Sequence, residues 1–164
     1  MLRDLPVRDL MITDVLSFTG DQNVQDAMRA LVENDVDAGP VVDENDKVIG
    51  MFSTGDVIAE EARLHFPTIV NFLGVNVALP WHDKQLDRSV SQALGEFVSE
   101  VMSTDVVTIG PAKSIEDAAT LMYDHKVSRL PVVDTTGRLV GLLARGDIVR
   151  AMVLGVGEPA SGGE

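Results

Sequence analysis

Two stretches of the chain set hydrogen-bonding groups in one frame: GMFSTGDV from Gly50 and GLLARGDI from Gly141. In the first, Ser53 and Asp56 stand three residues apart, a hydroxyl and a carboxylate that can cap a helix start reciprocally. In the second, Ala144 replaces the serine while Asp147 stays, so Asp147 needs a reason other than reciprocity with a hydroxyl, such as dipole complementarity or a ligand. Other site chemistries find no residues. With no cysteine there is no thiolate, disulfide or Cys-based zinc site, and His65, His82 and His125 lack the HxxxH or HxH spacing of a metal site. A nucleophile elbow, a Walker-type loop with lysine and a catalytic carboxylate pair are also missing. The expectation is binding without catalysis, with no metal and no required cofactor.

The elements that carry these groups form a repeat at a fixed offset of 91 residues. Val7 matches Val98, Met11 matches Met102, Thr13-Asp14-Val15 matches Thr104-Asp105-Val106, and Asp26-Ala27 matches Asp117-Ala118. The register continues without a gap through Val36 and Val127, PVVD at Pro40 and Pro131, Gly50 and Gly141, and Asp56 and Asp147. Each unit reads β-α-β-β-α. An extended piece (Val15 to Phe18; Val106 to Ile109) leads to a helix announced by Asn23 or Ser114, with Asp26 or Asp117 three residues on. Helical spacing assigns Val24, Ala27, Met28, Leu31 and Val32 to the core, and Ile115, Ala118, Ala119, Met122 and Tyr123 in the second unit. PVVD, a four-residue turn and a second short β-branched run make a hairpin. A last helix follows each Gly-Asp.

The repeats are placed at residues 5–60 and 96–152. Between them, 61–95 is too apolar for a flexible tether: Phe66, Ile69, Phe72, Leu73 and Trp81 are expected to pack on the repeats or on a second chain. QLDRSVSQALGEFVSEVM, from Gln85, reads as a helix entering the second repeat, and the Gly-rich end, 153–164, as a disordered tail. Over 164 residues, 26 acidic side chains against 13 basic ones give a net charge of −13, which argues against nucleic acid and anionic membranes as partners. No apolar run approaches a membrane span and the first residues lack the apolar block of a signal peptide, so the expected location is cytoplasmic.

A tandem β-α-β-β-α chain carrying MxTDV, PVVD and GxxxxGD in this order resembles the CBS domain pair, or Bateman module. The resemblance covers both repeats and implies an α+β fold in which they pack with pseudo-twofold symmetry around two clefts, with homodimers common. It implies adenosine-containing ligands: AMP, ADP or ATP, or S-adenosylmethionine. It also implies a role for the Asp, which takes the ribose hydroxyls while the preceding Ser or Thr lies by phosphate or ribose. A carboxylate suits vicinal hydroxyls because charge-assisted hydrogen bonds are the stronger kind. Carried over residue by residue, the main cleft holds Met51, Ser53, Asp56, Thr104, Val107, Val127, Ser128 and Arg129. The weaker one holds Thr13, Leu16, Val36, Asp37, Ala38, Leu142, Arg145 and Asp147.

The two sets differ in charge. Arg129, with Lys126 and His125 close in sequence, occupies the place that Ala38 and Asp37 take in the other. Repulsion of a phosphate by Asp37 is on the order of 1 kcal/mol in partly desolvated surroundings. The function read from this is a regulatory sensor that binds an adenine nucleotide and signals to a partner protein. The alternative is a ligand-free structural or protein-interaction dimer module.

Overall fold

The computed structural model describes residues 1–57 and 97–155. The apolar linker at 61–95 and residues 156–164 of the tail lie outside the described residues, as does the helix expected from Gln85 up to residue 96. Described elements are β1 (Phe18–Thr19), α1 (Val24–Glu33), β2 (Ala38–Val42), β3 (Val48–Ser53), α2 (Val98–Val101), α3 (Ile115–His125), β4 (Arg129–Val133), β5 (Leu139–Ala144) and α4 (Arg145–Leu154). Residues 54–57 are also helical. One sheet runs β1-β2-β3 and the other pairs β4 with β5 antiparallel.

The helices start where the cap residues place them. Asn23 Oδ1 accepts from the backbone N–H groups of Gln25 (2.9 Å) and Asp26 (3.3 Å). Ser114 Oγ accepts from Asp117 N (3.0 Å) while Asp117 Oδ2 accepts from Ser114 N (3.2 Å), closing a reciprocal box. Ser114→Ala is expected to lower stability by about 1 kcal/mol and the melting temperature by roughly 2–4 °C in thermal unfolding.

Chain order and compact units do not coincide. One unit contains Met1–Leu16, Val42–Ile49 and the chain from Asp105 onward. The other contains Ser17–Val41 and Gly50–Thr104. The segment leading into each repeat therefore belongs to the unit built on the other repeat's hairpin. In the first unit Val7 N donates to Lys113 O (2.8 Å), Arg8 N to Pro111 O (3.0 Å), and Ile12 and Leu142 exchange both backbone bonds at 2.9 Å. In the second, the mates at the 91-residue offset recur: Val98 N to Gln22 O (2.9 Å), Ser99 N to Gly20 O (2.9 Å), and the Met51–Ser103 pair (2.8 and 2.9 Å).

The first unit's core gathers Val7, Ile109, Ile115, Ala118, Met122, Leu130, Val132, Leu143 and Ile148. In the second unit Phe18 and Phe52 meet edge to face with centroids 5.4 Å apart, and Val24, Ala27, Leu31 and Val98 are buried. Three residues assigned to the core by spacing face outward instead: Val32, Tyr123 (85% exposed) and Ala119. Each stands at the margin of its helical stripe, past the arc that the sheet covers. The expected strands at 15–18 and 106–109 also shrink, since only their last residues pair, Phe18 in β1 and Ile109 in a single parallel bridge to Val132. At the other end α4 runs to Leu154, two residues into the stretch read as a tail.

The Asp of each PVVD organises its hairpin turn. Asp43 Oδ1 accepts from Asn45 N (2.8 Å) and Lys47 N (3.0 Å). Asp134 Oδ1 accepts from the hydroxyl (2.7 Å) and N–H (2.8 Å) of Thr136 and from Arg138 N (3.1 Å). The bond from the Thr136 hydroxyl, followed by those from the backbone, holds the Asp134 carboxyl below its usual pKa. These aspartates thus serve as turn residues.

Candidate functional site

The candidate groups sit where the second strand of each hairpin turns into a helix. In the second unit β3 ends at Ser53, and Asp56 lies in the first helical turn. Asp56 Oδ2 accepts from Ser53 N (3.1 Å) and Ser53 Oγ (2.9 Å), while Ser53 Oγ accepts from Asp56 N (3.2 Å). The reciprocal cap is thus formed. Every one of these bonds to the carboxylate ends on Oδ2, which leaves Oδ1 without a hydrogen bond among the described residues. Thr54 N donates to Asp37 O (3.0 Å), placing the 36–38 segment beside this helix start. The bonds between Met51 and Ser103 bring exposed Thr104 to the edge of the same strand.

This unit therefore gathers Met51, Ser53, Asp56 and Thr104 of the main set together with Val36, Asp37 and Ala38 of the weaker one. Ala38 is buried, while Val36 and Asp37 are exposed. Among the unit's described residues the one Lys or Arg is Arg29, which pairs with Asp26 at 3.8 Å. Two carboxylates, Asp37 and Asp56, thus share the helix start. That suits hydroxyl recognition better than phosphate.

The first unit repeats the geometry with different chemistry. Asp147 Oδ2 accepts from Ala144 N at 3.0 Å. The box needs no hydroxyl for this half, so the persistence of Asp147 beside an alanine is explained locally and does not by itself indicate a ligand. Thr13 follows Ile12, which pairs with buried Leu142, and Leu16 closes the same lead-in segment. Arg145 N donates to Ser128 O (2.8 Å), the mate of the Thr54–Asp37 bond. Its guanidinium Nη2 donates to Val127 O (3.3 Å), and Arg129 Nη1 reaches Ser128 Oγ at 3.4 Å. Val107 and Val127 pack against this unit's core. Val107, Val127, Ser128 and Arg129 of the main set thus share a unit with Thr13, Leu16, Leu142, Arg145 and Asp147 of the weaker one.

Spacing could not reveal two features. The glycine of each frame is a crossing point for a lead-in segment: a Cβ on Gly141 would lie 2.6 Å from Met11 Sδ and 2.9 Å from Ile12 O, and one on Gly50 2.6 Å from Met102 Sδ and 3.0 Å from Ser103 O. The other is a groove of about 720 Å³ between α3 and α4, lined by Met122, Tyr123, Ile148, Val149 and Met152 among others. No helix among the described residues is long and apolar enough to cross a membrane, and none of their His, Asp and Glu side chains form a group that could hold a metal.

Known proteins share this architecture. The chain is 27% identical over 153 residues to an uncharacterized protein of Methanocaldococcus jannaschii, MJ1426, covering 90% of each. It is 34% identical over 130 residues to the chloroplastic CBS domain-containing protein CBSX2 of Arabidopsis thaliana, spanning 79% of this chain and 55% of that one. The crystal structure of CBSX2 in complex with AMP superposes with a TM-score of 0.68 at 29% identity, over 90% of this chain and 96% of that one. A family model for the CBS domain matches residues 7–63 and 98–154, the two repeats in register, and the chain belongs to the CBS domain family.

Proposed function

We propose that this CBS pair is a regulatory module that binds an adenosine-containing ligand at Asp56 and passes the binding on to a partner protein. The observation that carries the reading is the likeness, across 90% of the chain, to a structure solved with AMP. AMP, ADP and ATP are the candidate ligands, with S-adenosylmethionine a further compound of the class. In this reading the open Oδ1 of Asp56 accepts a ribose hydroxyl and Oδ2 turns from its capping role toward the second. A ligand changes the module's output only through different affinities for two arrangements of it. A second copy of the chain is the expected assembly: exposed Tyr123, Val149 and Met152 form an apolar face of the kind an interface covers. Asp124 and Lys126 add both signs of charge to the rim, which a twofold mate can match.

One observation favours a ligand-free interaction module instead: the Ser53–Asp56 box gives both side chains a structural task. Isothermal calorimetry and thermal shift with AMP, ADP, ATP, NAD, S-adenosylmethionine and GMP separate the two. Saturable binding of at least one adenosine compound, with a raised melting temperature, is expected. Silence toward all of them at millimolar concentration would leave the interaction module as the reading.

A further inference from the structure

We propose that Met11 and Met102 are oxidation sites at which hydrogen peroxide releases the two lead-in segments from their hairpin strands, whether or not either unit holds a ligand. The chain has no cysteine and seven methionines, so thioethers are the groups that peroxide meets first. Met11 and Met102 are mates at the 91-residue offset, and each lies in a separate unit together with the glycine it covers. A Cβ on Gly141 would fall 2.6 Å from Met11 Sδ, and one on Gly50 2.6 Å from Met102 Sδ. Each sulfur is therefore seated directly on a strand glycine, next to the backbone pairs Ile12–Leu142 and Met51–Ser103 that hold the segment in place.

Both side chains are half-buried, and the residues that follow them, 12–14 and 103–105, are exposed, so a small oxidant reaches each sulfur from the solvent edge. Met122, in contrast, is 3% exposed. In the step, a sulfur lone pair attacks one peroxide oxygen and the O–O bond breaks as the S–O bond forms. The departing hydroxide takes the proton of the transferred oxygen and leaves as water, so sulfur loses the two electrons that the peroxide gains. The sulfoxide then carries a polar oxygen on an atom packed against a strand. Either that oxygen gives up hydration or the side chain lifts off, and lifting uncovers the paired segment. Methionine sulfoxide reductases reverse the step, one for each epimer. Exposed Met1 and Met152 take up oxygen as well, but neither holds a strand crossing.

The test is peroxide treatment of the folded full chain, well below its melting temperature, followed by peptide mass spectrometry, amide hydrogen exchange and thermal unfolding. Wild type is compared with Met11→Leu, Met102→Leu, the double variant and Met152→Leu, since leucine keeps the apolar volume and takes up no oxygen. Wild type is expected to gain oxygen at Met11 and Met102 before Met122, and to lose exchange protection first at the amides of Ile12, Leu142, Met51 and Ser103. Its melting temperature should fall by about 5 °C. Each single leucine variant at 11 or 102 should show about half of that fall. The double variant should keep its melting temperature while Met1, Met28, Met51 and Met152 still gain oxygen, and Met152→Leu should behave as wild type. Reductases for both epimers should return the lost degrees. A double variant that falls as far as wild type overturns the proposal. So does sulfoxide at Met11 and Met102 with melting temperature and exchange unchanged. Oxygen that reaches the two only together with Met122 overturns it as well, because peroxide is then acting on the unfolded chain. If the double variant does not fold, the wild-type peptide map and the single variants decide by the same outcomes.

Discussion

Gly141→Val should cost the chain about 3 kcal/mol and lower its melting temperature by roughly 6–12 °C. The position lies on β5 where the first repeat's lead-in segment crosses it, and a Cβ there would sit 2.6 Å from Met11 Sδ and 2.9 Å from Ile12 O. The thioether can swing aside. The carbonyl cannot, because Ile12 exchanges both backbone hydrogen bonds with Leu142 at 2.9 Å. Valine must therefore push the segment off the strand, losing those two bonds in addition to the overpacking strain. Met11→Ala added to Gly141→Val should return only part of the stability, since Ile12 O stays in the way. Gly146 supplies the control: a Cβ there meets nothing within 4 Å, so Gly146→Ala should leave stability unchanged or raise it by up to about 1 kcal/mol. Urea unfolding of the three variants beside wild type tests the series, and a Gly141→Val variant as stable as wild type would mean that the lead-in segment does not lie on β5.

The same crossing explains what the sequence could and could not reveal. The offset of 91 residues made the repeat, the hairpins and the caps at Asn23 and Ser114 readable, because each depends on residues close together in the chain. Partner choice for the lead-in segments was hidden. Met11 and Met102 are equivalent, so periodicity alone cannot say which of two equivalent glycines each one meets. The outward turn of Val32, Ala119 and Tyr123 was hidden for a related reason, since helical spacing marks an apolar stripe without fixing how wide a strip the sheet covers. The Ser53–Asp56 frame was legible as a capping box, and the structure adds that the carboxylate satisfies it with one oxygen. At Ala144–Asp147 the missing hydroxyl points by sequence to another purpose, whereas a backbone N–H is enough to hold the carboxylate. The Arg145 tether to Val127 spans 18 residues and depends on how α3 ends, which no local pattern encodes.

The larger functional effect is expected at Asp56. Asp56→Ala should weaken AMP binding about a hundredfold, from the loss of about 3 kcal/mol in charge-assisted bonds to two ribose hydroxyls. Asp147→Ala should leave the site at Asp56 nearly intact, because Asp147 belongs to the other compact unit and takes no part in the Ser53–Asp56 helix start. The structural part of Asp56 has to be separated from this. Removing its carboxylate also leaves Ser53 N and Ser53 Oγ without the acceptor to which they donate at 3.1 and 2.9 Å, a loss of about 1 kcal/mol in stability. Ser53→Ala isolates that part, for it makes the first helix start resemble Ala144–Asp147 while leaving the carboxylate in place. Ser53→Ala should therefore lower the melting temperature about as much as Asp56→Ala does and weaken AMP only slightly. Calorimetry and thermal unfolding on the three variants decide between the roles. If Asp56→Ala loses no more affinity than Ser53→Ala, the carboxylate is a helix cap and nothing else. If Asp147→Ala is the more damaging change, the ranking is reversed, and the nucleotide binds at the helix start beside residues 127–129 and not at the one beside Asp37.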